Sequence, residues 1–198
     1  MPRRNVRRLQ LRPPLPRRGV VWFPPFPADS NIEKFRAKYD PLAAQIAAHV
    51  HLVFPFPCNL SALQLASHTR RIVSKWPPLP VTFRDVEPLL GEFVLLMVRD
   101  REEAVTALHD ELYSGVLKNF LRKEMTYTPH ITLARVMQRD GIRESFPPLL
   151  DAAELAFGRG RAQEWRLFVR ELNILTWHPD GRISIDATVP LHIIRCRG

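Results

Sequence analysis

Cysteine is scarce. Cys58 and Cys196 are the only two in 198 residues, and no C-x-x-C pair occurs, so no disulfide framework is encoded. A reducing, cytoplasmic setting is the simpler reading. Long apolar runs are lacking too: none reaches the roughly 18 residues that a bilayer-spanning helix needs. No unbroken apolar stretch follows the basic N-terminus, so a secretory signal is not expected. Neither a membrane-spanning helix nor a secreted disulfide framework is expected of this chain.

Acidic residues are absent from positions 1–18, which hold Arg3, Arg4, Arg7, Arg8, Arg12, Arg17 and Arg18. The whole chain carries a net charge of +9, but once these seven arginines are set aside, 22 basic residues face 20 acidic ones. The basicity therefore belongs to the first 18 residues, and the remainder is nearly neutral. With Pro2, Pro13, Pro14 and Pro16 among the arginines, 1–18 reads as a disordered tail. Such a tail either is simply solvated or holds RNA phosphates by unspecific charge attraction. Its prolines break the amphipathic helix that an organelle transit peptide requires. Residues 19–198, with an ordinary share of apolar and charged side chains, form the expected folded unit, of a size for one domain or two small lobes.

Periodicity supplies the elements. Gly19 to Phe23 is β-branched and aromatic, and Pro24-Pro25 ends it, which predicts a strand. Asp29 or Ser30 caps a helix running to about Tyr39, with Glu33 in its first turn. His49 to Phe56 alternates and predicts a strand. Ser61 to Trp76 predicts an amphipathic helix, and residues 81–83 and 92–98 two strands. A helix over 101–116 and a strand over 130–136 follow. Next come a helix over 143–157 interrupted by Pro147-Pro148, a strand over 165–177, and a strand over 183–191. Pro179-Asp180-Gly181 turns between the last two. Strands and helices alternate only in part, so the expected class is α+β. Two similar lobes are expected, each an antiparallel sheet with helices on its outer face, around a central cleft.

Two segments stand out within this order: His49-Val50-His51-Leu52-Val53 and His130-Ile131-Thr132-Leu133-Ala134. On a strand, residues i and i+2 share a face. His49 thus sides with His51, and His130 with Thr132, while the intervening apolar residues enter the packing. One histidine on a strand is usually structural. Two such pairs, 81 residues apart and in corresponding places of two similar halves, point to a shared site.

These segments resemble the paired H-x-[ST]-hydrophobic motifs of the 2H phosphoesterases, the superfamily that includes the 2'-5' RNA ligase-like proteins. Thr128-Pro129-His130-Ile131-Thr132-Leu133-Ala134-Arg135 agrees with the second motif throughout. His49-Val50-His51-Leu52-Val53-Phe54-Pro55-Phe56 agrees with the first except at His51, where the pattern has Thr or Ser. Tyr39-Asp40-Pro41-Leu42 and the last hairpin extend the likeness over roughly residues 19–192.

The resemblance implies a metal-independent phosphoesterase with no cofactor. Its substrates would be the 2',3'-cyclic phosphates or 2'-5' phosphodiesters of RNA ends or small nucleotides, and the protein a monomer. Two imidazoles near neutrality supply the base for the attacking oxygen and the acid for the leaving one. His49 and His130 are the candidates. Thr132 would hold a non-bridging phosphate oxygen, with His51 in the corresponding place of the first motif, as a hydrogen-bond donor or, protonated, a cation. By the resemblance Arg135 contacts phosphate as well. Strand parity points it away from His130, so that role needs a twist or bulge.

Two other readings stay open. One is a nucleotide- or RNA-binding module whose first motif has degenerated at His51. The other is a metal-dependent hydrolase, because His-x-His on a strand is also a metal-binding pair, with His130 a third ligand. His68 and His109 are expected on helix surfaces, His178 in a turn, and His192 near the C-terminus. Trp22, Phe23 and Tyr127 are core residues or, alternatively, base-stacking ones.

Overall fold

The computed structural model describes residues 15–192, apart from Cys58, 137, 140, 141, 144 and 159–162. Among these residues ten strands and four α-helices follow one another as β1 (Arg17–Trp22), α1 (Asn31–Tyr39), β2 (Val50–Pro57), α2 (Ala62–Val73), β3 (Leu79–Leu89), β4 (Phe93–Asp100) and α3 (Glu102–Leu112). A 3₁₀ helix over Gly115–Phe120 precedes β5 (His130–Arg135), β6 (Gln138–Arg139) and β7 (Ile142–Arg143). The chain then continues through α4 (Phe146–Phe157), β8 (Trp165–Val169), β9 (Glu171–Trp177) and β10 (Ile183–Pro190). Two four-stranded sheets result, in the orders β10-β9-β1-β2 and β5-β4-β3-β8, and every pairing in them is antiparallel. The α+β class and the two-sheet architecture are as the sequence implies.

The lobes are not the two halves of the sequence. The expected strand over 165–177 is two strands, broken at Arg170: β8 joins the edge of one sheet and β9 the interior of the other. A continuous run of strand-forming residues does not reveal this switch, because both pieces are paired. The helices interleave in the same way. α2 packs on β9 and β10 and α3 on β2, whereas α1, although it precedes β2, packs on β5 and α4. One apolar core, from Val20, Val50 and Leu52 through Val94, Leu96, Ile131 and Leu133, runs through both lobes.

Local chemistry explains the element ends. Ser30 caps α1 by accepting from the Glu33 N–H, and Ser61 and Gln64 form a reciprocal capping box on α2. Pro147 and Pro148 do not interrupt a helix as expected. They lie in the first turn of α4, where a missing N–H costs nothing. α3 stops at Leu112, short of the expected 116, and Gly115 takes φ +52° just beyond it.

β1 begins at Arg17, two residues inside the segment assigned to the tail; residues 1–14 lie outside those described. Strand pairing is a backbone matter, and the two guanidiniums find acceptors at the rim: Arg17 donates to the Pro55 carbonyl and Arg18 to that of Leu60. Gly19 is there for space. A Cβ on it would stand 2.7 Å from the Val53 carbonyl oxygen and 3.2 Å from the Trp177 ring.

Candidate functional site

β2 and β5, the strands that carry the histidine segments, are the inner edge strands of their sheets and touch one another. An edge strand leaves backbone groups unpaired, and on β2 side chains satisfy them. Tyr127 Oη donates to the His51 carbonyl at 2.8 Å, His109 Nδ1 to that of Leu52 at 2.8 Å, and the Phe54 N–H donates to Tyr113 Oη. His109 is therefore buried, as is His68, which donates to the Leu112 carbonyl. The expectation that both lie on helix surfaces is wrong, because each ring reaches inward for a carbonyl. Tyr127 stacks on His109 with centroids 3.7 Å apart, and Trp22 on Phe83. Of the three candidate stacking aromatics, Phe23 has its ring against a site imidazole, edge-on to His49 at 6.0 Å.

Both strands bulge at the same place. Val20 and Val21 oppose Val53 and His51, so Leu52 is the extra residue of β2; Val94 and Leu95 oppose Ala134 and Thr132, so Leu133 is the extra residue of β5. Each lies three residues after its histidine. Two successive residues are buried there, Leu52-Val53 and Leu133-Ala134, and alternation inverts beyond them. The bulge in β5 brings Arg135 round to the side of Thr132, as its expected role requires. In β2 the corresponding position is Phe54.

A cavity of about 220 Å³ lies between the strands, lined by Asp40, Leu42, Ile46, His49, His51, Pro55, Thr132, Arg135 and Trp177. Four of the five expected site residues meet there. The fifth, His130, is not on its wall; positive charge on it would disfavour charge on both His49 and His51.

His49 and His130 are tethered alike. His49 Nδ1 lies 2.8 Å from the Ala47 carbonyl oxygen and His130 Nδ1 2.7 Å from that of Thr128, each two residues back along the chain. A carbonyl only accepts, so Nδ1 carries the proton and Nε2 the lone pair. His49 Nε2 faces His51 Nε2 at 3.1 Å, with the rings nearly perpendicular. His51 also lies beside Trp177 and Phe54. Its Nδ1 is buried without a partner among the described residues.

All three imidazoles are held neutral. Burial pushes His49 down to about 4, with Arg36 and His130 adding to the fall and the Ala47 carbonyl and Asp40 opposing it. His51 is pushed well below the ordinary value by burial, then by His49, His130 and Arg135. Burial lowers His130 too, against its bond to the Thr128 carbonyl. Neutral imidazoles suit proton acceptance and metal ligation alike. Among the described residues, no three His, Cys, Asp or Glu side chains converge as a metal-holding group.

One part of the site went unassigned in the sequence. Arg36 on α1, 1% exposed, donates to Glu33, Asp40, the Ile46 carbonyl and the Thr132 carbonyl. Glu33 in turn accepts from the Ala48 N–H, just ahead of His49. Arg36 therefore ties α1 to the segment before β2 and to β5. Its i, i+4 spacing to Asp40 was a visible signal, but such pairs are commonly solvent-exposed and say nothing of burial.

Comparison with known proteins agrees with this construction. A family model described as the 2'-5' RNA ligase superfamily matches residues 24–181. A protein of Geobacillus kaustophilus named "Putative phosphoesterase" is 27% identical over 119 residues, 59% of this chain and 68% of its own. One of Bacillus licheniformis with the same designation is 29% identical over 126 residues, 62% and 72%. Among solved structures, E. coli LigT complexed with NADP+ superposes with a TM-score of 0.57 at 18% identity, covering 91% of this chain and 99% of LigT. LigT complexed with 3'-AMP gives 0.55 at 17%, covering 89% and 98%. At such identities the likeness is one of fold.

Proposed function

The chain belongs to the 2'-5' RNA ligase superfamily of 2H phosphoesterases, and on that footing we propose that it opens 2',3'-cyclic phosphates or cleaves 2'-5' phosphodiesters without a metal. Its substrates are RNA ends or small nucleotides, and we place it in the cytoplasm on the strength of its sparse cysteines. The observation that carries this reading is the matched tethering of His49 and His130, each bound through Nδ1 to a carbonyl two residues back. Two imidazoles tethered alike, His130 on the edge strand of one sheet and His49 immediately before the edge strand of the other, suit proton transfer on opposite sides of one phosphorus. One takes the proton of the attacking water as its oxygen bonds to phosphorus. The other gives a proton to the ribose oxygen as the P–O bond breaks.

Thr132, His51 and Arg135 hold the non-bridging oxygens in this reading. About 220 Å³ is below the ~300–1,000 Å³ of sites that enclose a whole drug-sized ligand. A phosphate and the adjoining sugar edge then enter, while the base stays outside. The nucleotides in the LigT complexes support a nucleotide as ligand here. The acid needs a proton that the free site does not hold, so the charge of the arriving phosphate has to raise the pKa of one imidazole.

A second reading, a nucleotide-binding module without turnover, is favoured by one observation: His51 Nε2 occupies the space before His49 Nε2. Hydrolysis of 2',3'-cyclic AMP by pure protein in EDTA separates the two. The enzyme reading expects turnover that His49→Ala and His130→Ala each reduce at least 100-fold, as loss of an acid or base does. Activity indifferent to both changes, or lost on chelation, sinks it.

A further inference from the structure

The 3.1 Å contact between His49 Nε2 and His51 Nε2 holds one proton, and the surroundings decide whose it is. His49 Nδ1–H is committed to the Ala47 carbonyl, so a neutral His49 has only a lone pair at Nε2. The proton in the contact must then come from His51. His51 is thereby the Nε2–H tautomer, and its buried Nδ1, which has no partner among the described residues, is a bare acceptor. The reverse assignment would turn the His49 Nδ1 lone pair toward a carbonyl oxygen and leave a buried N–H without an acceptor. A doubly protonated His51 would leave the same orphan N–H. His51 is therefore a neutral donor of a single hydrogen bond, and the cationic role open to it in the sequence is excluded by its setting.

That one bond falls on the nitrogen that a base at His49 would use. An imidazole nitrogen has a single lone pair in the ring plane, so His49 cannot accept a proton from water while His51 donates to it. Thr132 and Arg135 stand in the same cavity and offer an arriving phosphate a hydroxyl and a guanidinium. An anionic phosphate oxygen is the better acceptor, since charge-assisted hydrogen bonds are about twice as strong as neutral ones.

We propose that His51 is a phosphate-sensing positioning residue: its Nε2–H caps His49 Nε2 in the free protein and transfers to a phosphate oxygen when the cavity fills. The lone pair of His49 is then released only with substrate in place. No covalent bond changes in the step, and one hydrogen bond is exchanged for another. This rests on the two-histidine reading above but concerns His51, which departs from the family's motif.

Two measurements on the full chain test it. In ¹⁵N-histidine-labelled protein, long-range ¹H–¹⁵N spectra report which ring nitrogen carries the proton. Free protein is expected to show His49 as the Nδ1–H and His51 as the Nε2–H tautomer, identified by their loss in His49→Gln and His51→Gln. Saturating inorganic phosphate should then move His49 Nε2 toward a free imidazole nitrogen, while the same addition to His51→Thr leaves it where it was. An Nδ1–H or charged His51 in the free protein overturns the proposal. So does a His49 Nε2 resonance that phosphate never moves.

The second measurement is turnover. Removing the cap in His51→Thr should raise kcat/KM on a 2',3'-cyclic nucleotide on the order of fivefold, the factor of one net hydrogen bond. A loss in His51→Thr, with wild-type turnover intact and dependent on His49 and His130, overturns the cap and spares the phosphoesterase. Absence of turnover in wild type and His51→Thr alike sinks the phosphoesterase reading, and the nitrogen spectra then judge the cap alone.

Discussion

Asp40 Oδ1 accepts from Arg135 Nε at 3.0 Å, while Oδ2 of the same carboxylate accepts from Arg36 at 2.9 Å. One arginine lies on β5 at the cavity and the other is buried in α1, so a single carboxylate sets a cavity-lining residue against the frame of the fold. The Leu42 N–H, at the start of the segment leading to His49, donates to the same Oδ1.

Asp40→Ala is expected to destabilise the protein by roughly 3 kcal/mol, the cost of leaving a buried guanidinium short of its partner. The value sits at the low end because Glu33 still pairs with Arg36. The urea midpoint reads it. Asp40→Asn keeps the shape but only one of the two acceptor oxygens, so its amide N–H2 meets Arg36 or Arg135 donor to donor, and the urea midpoint should fall for this variant as well.

Arg135→Met should raise KM for a cyclic nucleotide roughly 10- to 100-fold, as loss of a charged hydrogen bond does. Little change in kcat is expected if the contact is equally strong in ground and transition states. Arg135→Lys should recover only part of the loss, since an ammonium does not reproduce the guanidinium's fork. A KM unchanged in both variants removes Arg135 from the phosphate site.

Gly19→Ala tests the close approach of β1 to the bulge in β2. The added Cβ meets a backbone oxygen at 2.7 Å and the cavity-lining Trp177 at 3.2 Å. A loss of about 1–3 kcal/mol is expected, as for other overpacked positions, again from the urea midpoint at unchanged m-value. A neutral result would mean that β2 shifts freely.

The buried histidines give stability a defined pH dependence. His49, His51, His109 and His130 all titrate below their unfolded value of 6.5, so between the two pKa values the unfolded chain binds more protons. Stability is therefore fully present above pH 6.5 and is lost as pH falls toward about 4, the value of His49. For His49 the loss approaches ~3 kcal/mol, less what solvent recovers at a partly exposed ring. Urea midpoints at pH 7 and 4.5 should differ in that sense, and His49→Gln should narrow the gap. The same lowering places the alkaline limb of kcat/KM below pH 6.5, where the free enzyme loses its acid. A plateau extending to pH 8 contradicts it.

What the sequence determined by itself is what short-range chemistry encodes. Period-two alternation set His49 with His51 and His130 with Thr132, and caps and prolines marked helix ends to within a few residues. The ordered pair of motifs identified the family. Tertiary structure decided the rest, because each remaining feature depends on a partner distant in the chain. The bulges at Leu52 and Leu133 exist only in register with β1 and β4, and without the second Arg135 would face away. The switch at Arg170 is a choice between two sheets, both of which suit the same residues. Arg36 and Asp40 are an ordinary helical pair until α1 packs on β5. The proton between His49 and His51 is assigned by a carbonyl and by a nitrogen left without one, and neither fact is written in residue types.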